Sequence, residues 1–178
     1  MEVTIGLFAG IFEENGKLLL RRREREQPHI PCEHEGDWEL PGGTVEGSIW
    51  RAKNERIIGE ELAREVKEET GLSIETLRMP AMYPAVYVNR ESKKIDFAFV
   101  IMIGIIKEKP TIGKTIYVSP TELKDLSERP KGEQLVSGWG NRMCRMALMA
   151  LCNSPRPQYR DEAQKMLSKI QRIQFRSS

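Results

Sequence analysis

The chain alternates between two hydrophobic rhythms, the period of two that suits a half-buried strand and the period of 3.6 that suits a helix face. Residues 3 to 12 (Val3-Thr4-Ile5-Gly6-Leu7-Phe8-Ala9-Gly10-Ile11-Phe12) and 17 to 23 are strand-like runs separated by Glu14-Asn15-Gly16. Asn-Gly supplies the positive-φ positions of a tight turn, so the chain is predicted to open with a β-hairpin. Further strand-like runs are Leu72 to Met79, Ala85 to Asn89 and Ile95 to Ile106, the last two flanking a polar turn at Arg90 to Lys94. The run from Ile95 to Ile103 is apolar on both faces, as a central strand covered from both sides would be. Tyr117-Val118 reads as a strand running into a short helix, with Ser119 as N-cap and Pro120 at the first helical position.

Three helices complete the pattern. One carries an acidic cluster and ends before Gly71, a stop signal. A second, Arg142 to Cys152, is apolar on one side and should cover the sheet. After the break at Ser154-Pro155-Arg156-Pro157, an amphipathic helix is expected from about Asp161 to Phe175, its apolar side marked by Met166, Leu167, Ile170 and Ile173. Interleaved strands and helices predict an α/β fold, a layered α/β/α sandwich. The expected organisation is one domain over residues 1–154, with residues 155–178 packed on it or at a homodimer interface.

Composition narrows the picture. With 178 residues, the chain has length for one ordinary domain rather than two. Charged residues at 30% and hydrophobic residues at 39% describe an ordinary globular protein, and a net charge of +2 gives no general reason to expect nucleic acid or an anionic membrane as partner. No apolar run approaches the roughly 20 residues needed to span a bilayer, and no basic-then-apolar leader is legible, so a cytoplasmic location is expected. Cys32, Cys144 and Cys152 form no CxxC pair, which suits free thiols. His29, Cys32 and His34 share a loop, but their spacing fits no usual zinc module.

The acidic helix carries the chemistry. In Arg64-Glu65-Val66-Lys67-Glu68-Glu69-Thr70-Gly71-Leu72, Glu65, Glu68 and Glu69 stand at i, i+3 and i+4, and Glu61 lies one turn earlier. Like-charge pairs at this spacing cost roughly 0.2–0.5 kcal/mol each, a cost that a hard divalent cation removes. Upstream, Trp38-Glu39-Leu40-Pro41-Gly42-Gly43-Thr44-Val45-Glu46-Gly47 runs a strand into Pro-Gly-Gly, where the absence of Cβ lets backbone approach a metal or phosphate closely.

Together these stretches resemble the Nudix hydrolases, whose signature is Gly-x5-Glu-x7-Arg-Glu-U-x-Glu-Glu-x-Gly-U, with U a bulky aliphatic residue. Arg64, Glu65, Val66, Glu68, Glu69, Gly71 and Leu72 match every fixed position of its second half, and Gly43 fits the opening glycine. One departure stands out: Gly43 to Arg64 spans 21 positions, seven more than the signature's 14. Seven residues are almost two helical turns, so a helix lengthened at its N-terminal end keeps its acidic face in phase. The signature's first glutamate has no clear equivalent, with Glu55 and Glu60 both open.

The resemblance implies a Nudix-type sandwich with a mixed central sheet and hydrolysis of a diphosphate bond in a nucleoside triphosphate or in a nucleoside diphosphate linked to another group. Glu65 and Glu69 would hold Mg²⁺ (or Mn²⁺) with the Gly43 carbonyl. Glu68 would bind a further metal or position water, and Arg64 would hold loop and helix together. Arg21 and Arg23, alternate residues on one strand face, become phosphate contacts, Glu133 a catalytic carboxylate on a closing loop, and Trp139 a base-stacking residue beside Phe8, Tyr83 and Tyr87. Two alternatives share the motif: an RNA 5′-end pyrophosphohydrolase using the Arg21–Arg25 cluster, and a nucleotide-binding sensor without turnover.

Overall fold

The computed structural model describes residues 3–13, 17–24, 34–45, 55–74, 82–89 and 94–136, with Met149, Cys152, Arg160, Asp161 and Gln164 as isolated helical positions. Strands β1 (Val3–Phe12) and β2 (Leu18–Arg22) pair antiparallel through Phe12↔Leu18, as the hairpin pattern predicts. The Asn15-Gly16 turn lies outside the described residues. β1 alternates from Ile5 to Ala9, with Ile5, Leu7 and Ala9 buried, and is then buried on both faces from Ala9 to Phe12. In β2, Leu18, Leu19 and Leu20 are buried at consecutive positions, so this strand is covered on both faces.

Next come β3 (Trp38–Glu39), β4 (Gly42–Val45) and helix α1 (Glu55–Thr70). After them follow β5 (Met82–Asn89), β6 (Lys94–Ile105), β7 (Thr115–Val118) and helix α2 (Pro120–Ser127). The seven strands form one sheet in the order β3-β2-β1-β6-β5, with β4 added to β1 and β7 to β2. β1 runs parallel to β6 along its whole length, and the other pairings are antiparallel, so the sheet is mixed. The doubly apolar run from Ile95 lands on β6, interior to the sheet between β1 and β5. Because β6 takes one edge of β1, β2 and β4 share the other, β4 lying along Ile5–Phe8.

Helix α1 buries Ile58, Leu62 and Val66, a one-turn-spaced stripe, against Leu7, Ala9, Ile11 and Leu19 of the sheet and Val45 of β4. Its C-terminal end is fixed twice. Thr70 donates its hydroxyl back to the Val66 carbonyl at 2.6 Å, and the Thr70 carbonyl accepts the Thr111 and Ile112 N–H groups. Gly113, at φ 68°, lies so close that a Cβ would meet the Glu69 carbonyl oxygen at 2.6 Å. The segment after β6 therefore clamps the acidic turn of the helix. Helix α2 begins as predicted, with Ser119 and Glu122 forming a reciprocal capping box and Pro120 in the first turn.

The described start of one expected strand, Leu72 to Met79, is not extended into a sheet. Residues 71–74 are not a strand: Gly71 turns the chain at φ 76°, and Leu72 goes into the core beneath α1. Residues 75–79 of that run lie outside the described residues, as does most of the expected helix Arg142–Cys152, in which Met149 and Cys152 are helical. Of the C-terminal helix, Asp161 and Gln164 are helical. No described helix is long and apolar enough to cross a membrane.

Candidate active site

The Pro-Gly-Gly stretch, read from sequence as a loop, is a crossover between two strands that brings backbone onto the acidic helix. β3 pairs with β2 through Arg21↔Glu39 and Arg22↔Trp38. The chain then passes Leu40 and Pro41, whose carbonyl accepts the Ala9 N–H at 2.7 Å, and joins β1 through Phe8↔Gly42 and Leu7↔Gly43. Gly42 is obligatory here: at φ 139°, a Cβ would meet the Leu7 carbonyl oxygen at 2.1 Å. Gly43 is close-packed in another way: a Cβ there would lie 2.8 Å from Glu65 Oε2, the end of a flexible side chain that would have to move.

Two of the three signature acids face this crossover. Glu65 packs its carboxylate on Gly43, and Glu69 Oε2 accepts the Gly42 N–H at 2.8 Å. Glu68 turns the other way, 59% exposed, and binds Arg64 at 2.7 Å. The helical period explains the split, because positions i+3 and i+4 from Glu65 diverge by 100° around the axis. Arg64, 47% exposed, binds Glu68 on the outer side of the helix and also reaches Glu61 and the second carboxylate oxygen of Glu65. Among the described residues those bonds are all to acids of its own helix; the residues between Val45 and α1, where the expected tie from loop to helix would fall, lie outside the described residues. The carboxylate that reaches Arg64 from the preceding turn is that of Glu61, at 2.5 Å. Glu60 is exposed, and the side chain of Glu55 lies outside the described residues.

The tie between strand and helix is Arg21. Its Nη2 donates to Glu39 Oε1 at 2.6 Å and to Glu69 Oε1 at 2.7 Å, joining β2, β3 and α1 in one buried cluster. Arg23, on the same face, reaches Glu39 Oε2 at 3.2 Å. Both arginines therefore stand on the predicted face, but inward on carboxylates. Among the described residues the buried Arg21 Nε has no hydrogen-bond partner. Burial pushes the Glu69 carboxyl up to about 7; Arg21 and the Gly42 N–H oppose the rise, and neighbouring Glu39 and Glu65 add to it. The Arg64 guanidinium is held further above its ordinary range by hydrogen bonds to Glu61 and Glu68.

Arg22 points to the opposite face and anchors the segment after α2. It donates to the Gly36 and Gly132 carbonyls, while Asp37 Oδ1 accepts the Gly132 N–H at 2.6 Å. Leu135 and Val136 are buried alongside Trp38. Glu133 lies in this turn, exposed, next to the residue that Arg22 and Asp37 hold. Trp139 and the side chains of Tyr83 and Tyr87 lie outside the described residues, as do His29 and Cys32. His34 instead lies 3.4 Å from Asp37. Phe8 folds its ring over Gly6, where a Cβ would meet it at 2.7 Å.

The residue that sequence reading passed over is Glu39. It carries an arginine on each carboxylate oxygen and is only 3% exposed. Its signal was an acid inside a short strand opposite basic residues of another strand, a cross-strand charge pair visible only once register is known.

Among the described residues, no three His, Cys, Asp or Glu side chains stand together so as to hold a metal by themselves. Mg²⁺ does not require that: it is commonly held by one or two carboxylates with waters and substrate phosphates completing its shell. Glu65 and Glu69 fit this description. They offer hard oxygen donors against a backbone cradle that a Cβ at position 43 would fill.

A mixed sheet with an acidic helix docked on a glycine crossover defines a class of phosphate-bond hydrolases. The family comparison agrees: the NUDIX domain model matches residues 3–136, and the chain belongs to the Nudix family of hydrolases. No curated protein matches it. Among solved structures, the MutT protein of Methanosarcina mazei Go1 is 23% identical with a TM-score of 0.54, over 84% of this chain and 96% of that one. A MutT NUDIX hydrolase from Burkholderia pseudomallei is 21% identical with a TM-score of 0.53, over 84% and 98%. A bifunctional NMN adenylyltransferase/ADP ribose pyrophosphatase from Francisella tularensis, complexed with AMP and Mn ion, is 15% identical with a TM-score of 0.53, over 83% of this chain and 41% of its own. These likenesses show the fold.

Proposed function

We propose that the protein is a metal-dependent pyrophosphohydrolase that cleaves a diphosphate bond in a nucleoside triphosphate or in a nucleoside diphosphate linked to another group. The observation that carries this reading is the placement of Glu65 and Glu69, and not Glu68, on the Gly42-Gly43 crossover. Bound between them with the Gly43 carbonyl, Mg²⁺ or Mn²⁺ would neutralise charge on the diphosphate oxygens and make a water more nucleophilic.

The chain's own residues supply the rest. Glu69, its carboxyl raised to about 7 by burial, requires a positive partner when ionised, and Arg21 provides one. Arg21 keeps a buried Nε donor without an acceptor among the described residues, a donor suited to a phosphate oxygen. Glu68, exposed beside Arg64, is placed to orient water or bind a further cation rather than to hold the first one. Glu133 lies on a segment fastened at Gly132 by Arg22 and Asp37, so a contribution to catalysis would require Gly132 to leave those two side chains. The fold neighbour complexed with AMP and Mn ion supports a nucleotide and a divalent cation as the ligand pair.

We read residues 1–154 as the catalytic domain and 155–178 as a helix that packs on it or on a second copy, and we place the protein in the cytoplasm. The test is phosphate and diphosphate release from nucleoside triphosphates, dinucleoside polyphosphates, nucleotide sugars, ADP-ribose, NADH and 5′-triphosphate RNA, with Mg²⁺ and with chelator. Metal-dependent release from at least one nucleotide is expected. Release confined to RNA would move the substrate to RNA ends, and binding without release on any member would overturn the hydrolase reading in favour of a sensor.

A further inference from the structure

We propose that Glu39 is a positioning residue that sets the metal affinity of the Glu65/Glu69 pair by giving Arg21 a second, permanent acceptor; the inference rests on the hydrolase reading above. One nitrogen, Arg21 Nη2, serves both Glu39 at 2.6 Å and Glu69 at 2.7 Å. A metal cation approaching Glu69 thus meets a guanidinium already on that carboxylate, and two cations compete for one anion. Arg21 is only 16% exposed, so leaving the site would strip a charge of its partners inside the protein. Glu39 resolves the conflict. Its carboxylate is fixed by strand register opposite Arg21 and by Arg23 on its other oxygen. When Glu69 turns to a metal, Arg21 stays on Glu39, beside the cation but paired, with its Nε still free to meet substrate.

Without the Glu39 charge, Arg21 has only Glu69 as an ionic partner and competes harder with metal. Glutamine at position 39 keeps the shape and one acceptor oxygen, so it removes the charge while preserving the packing. The experiment is a Mn²⁺ titration followed by electron paramagnetic resonance at mildly alkaline pH, on the metal-free full chain. The proteins are wild type, Glu39→Gln, Arg21→Gln and the double variant, each checked by its thermal melt. Glu39→Gln is expected to bind Mn²⁺ about tenfold more weakly, the scale of losing a group that orients a metal ligand. Arg21→Gln should bind more tightly than wild type, because the competitor is gone. In the Arg21→Gln background, Glu39→Gln should change affinity by no more than about twofold, the margin within which uncoupled sites behave additively.

Equal weakening by Glu39→Gln in both backgrounds, or no weakening in either, overturns the proposal. Should Glu39→Gln fail to fold, Arg21→Gln decides alone: tighter binding supports the proposal, and unchanged or weaker binding overturns it. A wild-type chain that binds no Mn²⁺ would remove the hydrolase reading itself, a result distinct from wild-type binding that ignores Glu39.

Discussion

Two arginines neutralise the acids of one helix, and they do so in opposite surroundings. Arg64 lies on the outer side, 47% exposed, bonded to three glutamates of its own helix. Arg21 comes from β2, is nearly enclosed, and joins carboxylates of two other elements. Water reaches Arg64 and Glu68, so their ion pair contributes little to stability, while Glu61 and Glu65 are only about one-fifth exposed. The Arg21 cluster is desolvated, where removing one partner strands charge inside the protein. The comparison teaches that the same residue pairing acts as surface compensation on one side of α1 and as an architectural joint on the other. The joint lies where the metal would bind.

The largest expected effect breaks the buried side. Arg21→Gln should cost about 3 kcal/mol, the low end of the range for unpairing a buried charge, because Glu39 keeps Arg23 and Glu69 keeps the Gly42 N–H. At roughly 2–4 °C per kcal/mol for a chain of this size, the melting temperature without metal should drop on the order of 6–12 °C. Next in size is Glu69→Gln, which removes a proposed metal ligand. Groups that merely orient ligands are worth about 10–100-fold, so turnover should fall by at least about 100-fold. Steady-state rates across a Mg²⁺ series measure it.

Gly43→Ala sharpens the comparison by disturbing the site and sparing the joint. Its methyl would lie 2.8 Å from Glu65 Oε2 and displace a flexible side chain, so turnover should fall about tenfold with little change in melting temperature. Gly42→Ala should do the reverse and destabilise the fold, because its Cβ meets backbone at 2.1 Å from a positive φ.

Titration separates the two sides as well. The folded-state pKa of Glu69 is raised to about 7 from an ordinary value near 4.5, so the native protein binds that proton more tightly than the unfolded chain does. The associated stability is present below about pH 4.5 and is lost as pH rises through about 7. Thermal melts in chelator should show this decline in wild type and its loss in Glu69→Gln; parallel curves would contradict the burial argument. The smallest effect belongs to the exposed side: Arg64→Ala should shift stability by no more than about 1 kcal/mol, readable in urea unfolding.

Much of this arrangement was legible in sequence. The Asn-Gly spacing gave the hairpin, the two-sided apolar run gave the interior strand β6, and Ser119-Pro120 gave the start of α2. The acidic residues fall on α1 as their spacing predicts, while the seven extra residues were expected to lengthen that helix at its N-terminal end; α1 is described from Glu55, and residues 46–54 lie outside the described residues. What sequence hid was pairing between distant segments. Gly42-Gly43 read as a loop because glycine is a poor strand former, yet it opens β4, where β1 approaches too closely for a side chain at position 42. Leu72 suggested a strand, but its apolar side chain fills the core below α1. Arg21 and Arg23 were placed on the right face, while their partner Glu39 became visible only through the register of β2 with β3.

In the proposed hydrolase, Glu65 and Glu69, not Glu68, would form the first metal site. The most direct measurement is a Mn²⁺ titration of the metal-free chain with Glu65→Gln, Glu68→Gln and Glu69→Gln beside wild type. Weakening by at least about tenfold in Glu65→Gln and Glu69→Gln, with Glu68→Gln within about threefold of wild type, is the predicted result. Loss of binding in Glu68→Gln with Glu65→Gln and Glu69→Gln unaffected would contradict it.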